Sequence, residues 1–209
     1  MYTMADITQY RESKGGTDLI IRIPDIKLGA MIRQQAIKRA EIRFDDGRYI
    51  SAEQRKKIYA TIRDIADYTG YLPEELKEIM KYQHMIRNGQ EYFSLSDCSM
   101  GMARDFINTL LEFALEWGIP LSEDALSRTD DIEKYLYTCI IHKKCAICGK
   151  DGEIHHEDAI GMGNNRRTLD DSGHKKICLC RLHHTIAHQK GVVEFRKIYK
   201  VHGILVENS

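Results

Sequence analysis

Cys145-Ala-Ile-Cys148 and Cys180-Arg-Leu-His183 each set two soft metal ligands with two residues between them. That gap lets both side chains of a knuckle reach one tetrahedral ion while the intervening amides turn toward the sulfurs. Two such knuckles fill the four places of a structural zinc shell. Cys178 competes for the third place, but its four-residue gap to His183 suits a knuckle less well, so it reads as a packed thiol. That leaves His155, His156, His174, His184 and His188, more than a simple zinc ribbon uses. His184 and His188 are four apart, so on a helix both imidazoles leave from one face and can share a second ion. His155 and His156 follow the turn Gly149-Lys150-Asp151-Gly152 on a short extended segment, where neighbours point opposite ways. One imidazole can therefore face a metal and the other whatever the metal binds.

These residue types are crowded into one third of the chain. Residues 139–209 hold eight of the nine histidines and five of the six cysteines, with 12 Lys+Arg against 8 Asp+Glu. The 209 residues as a whole balance 31 basic side chains with 31 acidic ones. Within that balance, residues 22–63 carry 11 basic against 5 acidic side chains and residues 64–138 carry 6 against 15. A basic stretch beside an acidic one attracts phosphate on one side and repels it on the other. The basic stretch includes Arg33, Lys38, Arg39, Arg43, Arg48, Arg55, Lys56 and Lys57, which are read as nucleic-acid contacts. Arg166, Arg167 and Arg181 are read as phosphate contacts near the histidines.

An apolar share of 43% with 30% charged residues suits a globular protein and argues against disordered or collagen-like classes. The apolar runs fall far short of the roughly 20 residues that span a bilayer, so no membrane helix is expected. Asp6, Arg11, Glu12 and Lys14 interrupt any secretory h-region, which predicts a cytoplasmic chain. There, six cysteines read as ligands or buried thiols before they read as disulfides.

The elements that must position these residues follow from periodicity. Asp18 to Ile23 is β-branched and extended, and Asp45-Asp46-Gly47 between Ala40–Phe44 and Arg48–Ile50 is a hairpin signal. Ser51 with Gln54 opens a helix whose Ile58, Ile62, Ile65 and Thr69 share a face, and Gly70 ends it. Pro73, Glu74 and Glu75 start a second helix to about Ile86, with Leu76, Ile79 and Met80 inward. A third, from about Ser99 to Trp117, turns Phe106, Leu110, Phe113, Ala114 and Trp117 to the core. A polar stretch over 121–131 precedes a helix from Asp131 to Ile141, and Gly191 is expected to stop the helix that carries His184 and His188. His84, His142, His202, Cys98 and Cys139 lack spacing partners and read as structural, and Gly161-Met162-Gly163 reads as a turn.

The succession Cys-x-x-Cys, His-His, Asn, Cys-x-x-His, His-x-x-x-His over residues 142–206 resembles the HNH endonucleases. The resemblance implies a ββα-metal fold holding one divalent cation (Mg²⁺, Mn²⁺, Ni²⁺ or Zn²⁺) beside a histidine base. Carried over by position, His155, His184 and His188 take the metal-ligand places and His156 that of the base. Asn164, Asn165 and His174 each fall where the middle residue that orients the base would come, and His174 and Asn165 are kept as its candidates. Residues 19–120, through the basic strands and the order of the three helices, are similar to the NinB/Orf recombination proteins of phages. This second resemblance implies a homodimer that binds single-stranded or branched DNA and works with host single-strand-binding protein in the host cytoplasm.

The sequence thus predicts an α+β protein. Residues 1–125 would form a mixed α/β DNA-binding domain, 126–141 a connecting helix, and 142–209 a small HNH domain stabilised by structural zinc on Cys145, Cys148, Cys180 and His183. In so small a domain the metal would supply much of the folding free energy, on the order of 10 kcal/mol. The alternative is a recombination mediator without catalysis, whose zinc domain only binds DNA or a partner.

Overall fold

The computed structural model describes residues 5–24, 27–34, 47–157 and 173–206. The chain begins with an antiparallel ribbon in which β1 (Asp6–Ser13) pairs with β2 (Gly16–Arg22), and α1 (Gly29–Gln34) follows. The apolar, β-branched signal of β2 is readable from composition, whereas in β1 Ile7, Thr8 and Tyr10 stand among polar residues and give a weaker one. The hairpin expected around Asp45-Asp46-Gly47 falls largely outside the described residues. Its returning arm forms no strand: Tyr49 makes a single antiparallel bridge to Ser99, and the Ile50 N–H donates to the Cys98 carbonyl at 2.8 Å.

Three helices build the N-terminal core: α2 (Ala52–Thr69), α3 (Pro73–Asn88) and α4 (Met100–Glu116). Ser51 caps α2 as its spacing with Gln54 predicts. Its hydroxyl accepts from the Gln54 N–H at 3.0 Å, and the Gln54 side chain accepts from the Ser51 N–H at 3.1 Å. Ile58, Ile62 and Ile65 of α2, Leu76 and Met80 of α3, and Phe106 and Leu110 of α4 are all buried. Two expected core residues are not: Ile79 is 43% and Trp117 64% exposed. The helical stripe read from sequence was wider than the contact its neighbours make. His84 packs edge-on to Phe93 and Phe106 and bonds the Thr109 hydroxyl at 2.7 Å, a structural histidine as expected.

The polar stretch after α4 is held by a buried arginine. A one-turn α5 (Ala125–Arg128) delivers Arg128, 1% exposed, to Asp64 of α2 at 2.7 Å, and its guanidinium also donates to Thr61 and Ser122.

Next, α6 (Ile132–Ile141) packs against both α4 and the C-terminal sheet, and its Tyr135, Leu136 and Cys139 are buried. That sheet has the order β3 (Glu153–His156), β4 (Lys175–Leu179), β5 (Ile204–Leu205), antiparallel throughout, with α7 (Arg181–Tyr199) following β4. Gly191 stops the first helical stretch of α7 as anticipated, at φ 76 and ψ 162, and a second stretch follows across the kink and carries Phe195 into the core. Buried side chains run without interruption from Ile50 through α4 and α6 to β4 and α7. The fold is therefore mixed α+β, with seven helices and two small sheets among the described residues. No helix among them is long and apolar enough to cross a membrane.

Removing one partner from a buried ion pair leaves an uncompensated charge, which costs about 3–5 kcal/mol. Asp64→Ala is expected to lower unfolding free energy by that amount in urea denaturation, and a loss under about 1 kcal/mol would contradict this role for the pair.

Candidate metal centres

The Cys-x-x-Cys knuckle forms where the chain leaves α6 and doubles back. Lys144 bridges Asp151, the Cys145 N–H donates to the Lys150 carbonyl at 2.7 Å, and the Gly149 N–H donates to the Cys145 carbonyl at 2.9 Å. The Ala146 N–H donates to the Cys178 carbonyl and the Tyr135 hydroxyl to the Ala146 carbonyl, which ties the knuckle to β4 and α6. Its return partner is the first turn of α7, where Cys180 is the N-cap and His183 follows.

The ligand atoms of Cys145, Cys148, Cys180 and His183 lie within 4.8 Å of one another. Cys145 Sγ and Cys180 Sγ stand 3.4 and 3.3 Å from His183 Nδ1, and Cys148 Sγ stands 3.7 Å from Cys180 Sγ. A tetrahedral zinc ion spaces its sulfur and nitrogen ligands about 3.5–3.8 Å apart, given bonds of about 2.3 and 2.0 Å. The four residues therefore fit zinc in both donor type and size. Cys178 lies outside the cluster, fully buried, and burial pushes its thiol up to about 12.

A second convergence lies one residue further along α7. The ring nitrogens of His155, His184 and His188 fall within 4.8 Å of one another. His184 Nε2 and His188 Nε2 are 3.1 Å apart, and the His155 ring stands edge-on to both at centroid distances of 4.7 and 4.9 Å. His184 Nδ1 donates to Glu153 Oε1 at 2.7 Å. That bond places the ring proton on Nδ1 and leaves Nε2 as a lone pair, the carboxylate support usual behind histidine ligands. Burial, then the neighbouring imidazoles of His184 and His188, push His155 down to about 4, so it is neutral and able to coordinate. Three imidazoles whose ring nitrogens converge in this way suit a divalent cation.

The β3–β4 register explains the division of labour. His155 pairs with Ile177 and His156 with Lys176, so the two histidines leave opposite faces of the strand. His156 is half-buried and its ring lies 6.4 Å from that of His174. Asn164, Asn165, Arg166, Arg167, Lys38, Arg39 and Arg43 lie outside the described residues. Arg33, Arg48, Arg55, Lys56 and Arg181 are exposed. Lys57 departs from its expected place at a surface for DNA: its side chain is 16% exposed and its ammonium meets Asp130 at 2.5 Å, which commits the charge inside the molecule. Glu153 escaped the sequence reading. Its signal was there, because a residue two before His155 on a strand must share its face.

Two outcomes follow from this geometry. Co²⁺ added to the metal-free chain is expected to raise thiolate-to-metal absorption that Cys145→Ser abolishes. Glu153→Gln is expected to weaken metal binding at the imidazoles by about 10–100-fold in calorimetric titration, with the thiolate signal intact. Equal affinity in wild type and variant would remove Glu153 from the site.

Comparison with known families matches residues 25–209 to the family described as "Putative HNHc nuclease". No curated protein and no solved structure matches the chain. The match spans the helices as well as the His/Cys-rich end, and on that extent the chain belongs to the HNHc nuclease family.

Proposed function

We propose that the protein hydrolyses DNA phosphodiesters at the imidazole cluster, with His155, His184 and His188 as metal ligands and His156 as general base. The observation that carries this is the convergence of three imidazole nitrogens on one point, from β3 and α7, with a fourth histidine adjacent in sequence on the other strand face. A phosphodiester resists attack because its charge repels hydroxide and its leaving alkoxide is poor. A divalent cation held by neutral ligands keeps most of its charge and so stabilises the charge that develops on phosphate and leaving oxygen.

The chain's own groups do the rest. His156 takes the proton from the attacking water, work suited to an imidazole near neutral pH. His174, its ring 6.4 Å from that of His156, is the described candidate for orienting the base, and Asn165 remains the other. Glu153 holds His184 in the coordinating tautomer. Arg181, exposed at the start of α7, is offered to backbone phosphate. The sulfur cluster is a structural zinc site that fixes the origin of α7.

We further infer that the helical part holds the DNA. The excess of Lys and Arg over residues 22–63 supports this, with Arg33, Arg48, Arg55 and Lys56 exposed. The likeness of residues 19–120 to NinB/Orf proteins favours single-stranded or branched DNA, a recombination role, a second copy of the chain and single-strand-binding protein as partners.

Labelled single-stranded, duplex and branched DNA, incubated with Mg²⁺, Mn²⁺, Ni²⁺ or Zn²⁺, tests the central claim. Wild type is expected to cut at least one substrate, and His156→Ala to cut it about 10²–10⁴-fold more slowly. No cleavage of any substrate, or equal rates in the two chains, would instead favour the mediator that only binds.

A further inference from the structure

Glu157 and Arg196 stand where motif spacing assigns nothing. Glu153, His155 and Glu157 alternate along β3 and one residue past it, and the Glu157 N–H continues the ladder by donating to the Lys175 carbonyl at 2.9 Å. All three side chains meet α7 in order: Glu153 bonds His184, His155 touches His184 and His188, and Glu157 bonds Arg196. From His155 to Glu157 the strand advances about 7 Å, whereas unbroken helix from His188 to Arg196 would advance about 12 Å. The break at Gly191 falls between His188 and Arg196.

The pair is a fork. Arg196 Nε donates to Glu157 Oε1 at 3.2 Å and Nη2 to Oε2 at 2.5 Å. Its burial is lopsided, with the Glu157 side chain 4% exposed and that of Arg196 40%. Space for the carboxylate comes from a bare backbone, because a Cβ on Gly203 would lie 2.7 Å from Glu157 Oε2. The segment that carries Arg196 is itself basic. Residues 173–206 contain Lys175, Lys176, Arg181, Lys190, Arg196, Lys197 and Lys200 against one acidic residue, Glu194.

We infer that Arg196, anchored by Glu157, binds a DNA backbone phosphate beside the one that is cut. This inference rests on the nuclease reading of the neighbouring histidines. Loss of Arg196 would leave the buried Glu157 carboxylate uncompensated, so the pair contributes to stability, but stability alone does not call for an arginine left 40% exposed. A fork fixed on a buried carboxylate, by contrast, holds the guanidinium in one orientation, as phosphate recognition requires.

The test uses His156→Ala chain, so that DNA stays whole, and follows anisotropy of a labelled branched DNA with single-stranded and duplex arms from about 50 to 200 mM salt. Adding Arg196→Ala is expected to weaken low-salt binding about tenfold and to reduce the slope of log K against log salt by about one. Metal stoichiometry should not change. Arg196→Lys, in the otherwise wild-type chain, keeps the charge but loses the fork, and is expected to lower kcat more than it raises KM. A lower melting temperature with a wild-type salt slope would assign the pair to stability and overturn the inference. If Arg196→Ala does not fold, Arg196→Lys decides, and unchanged kcat overturns it. A reduced slope in a protein that cuts no DNA would leave the phosphate contact standing and sink the nuclease reading instead.

Discussion

The arrangement depends on one constraint: the first two turns of α7 must satisfy two ligand clusters at once. Cys180 and His183 turn into the sulfur cluster, and the very next residue, His184, turns into the imidazole cluster with His188 one turn on. Successive residues on a helix are rotated by about 100°, so neighbours can serve sites on different sides of one helix, but only if its axis and rotation are both fixed. Cys180 at the N-cap anchors that origin, and Glu153, reaching across from β3, fixes the rotation at His184.

The rest of the C-terminal part can be read as support for that helix. β3 and β4 pair so that His155 and Glu153 face α7, and β4 carries fully buried Cys178 and Leu179 back toward α6. The knuckle hangs on β4 and α6 through Ala146, whose N–H and carbonyl are both used. Because α6 also packs on α4, the ligand clusters rest on the same continuous apolar core as the N-terminal helices. That continuity agrees with a family match that begins at residue 25 and does not stop at the helical part.

Much of this was legible in the chain. Ligand chemistry is local: a two-residue gap or an i,i+4 pair states its geometry wherever it folds, and both clusters assemble from the residues their spacing singled out. Caps are local too, and Ser51 and Gly70 bound α2 as expected. What sequence could not supply was pairing across distance. β1 is mostly polar and is fixed by its pairing with β2, Ile79 and Trp117 lie exposed although the helical stripe includes them, and a second helical stretch follows the stop at Gly191 and buries Phe195. Lys57 looked like one more exposed cation until Asp130, 73 residues away, claimed it. Glu153 and Glu157 were missed for a different reason: the strand period puts both on the face of His155, but which α7 residue each meets is known only once the helix opposite is placed.

The adjacency of His183 and His184 couples the two clusters through one helix origin. A change that loosened the sulfur cluster would free the helix origin from which His184 and His188 project, so substitution of one of its cysteines would be felt at the imidazoles as well.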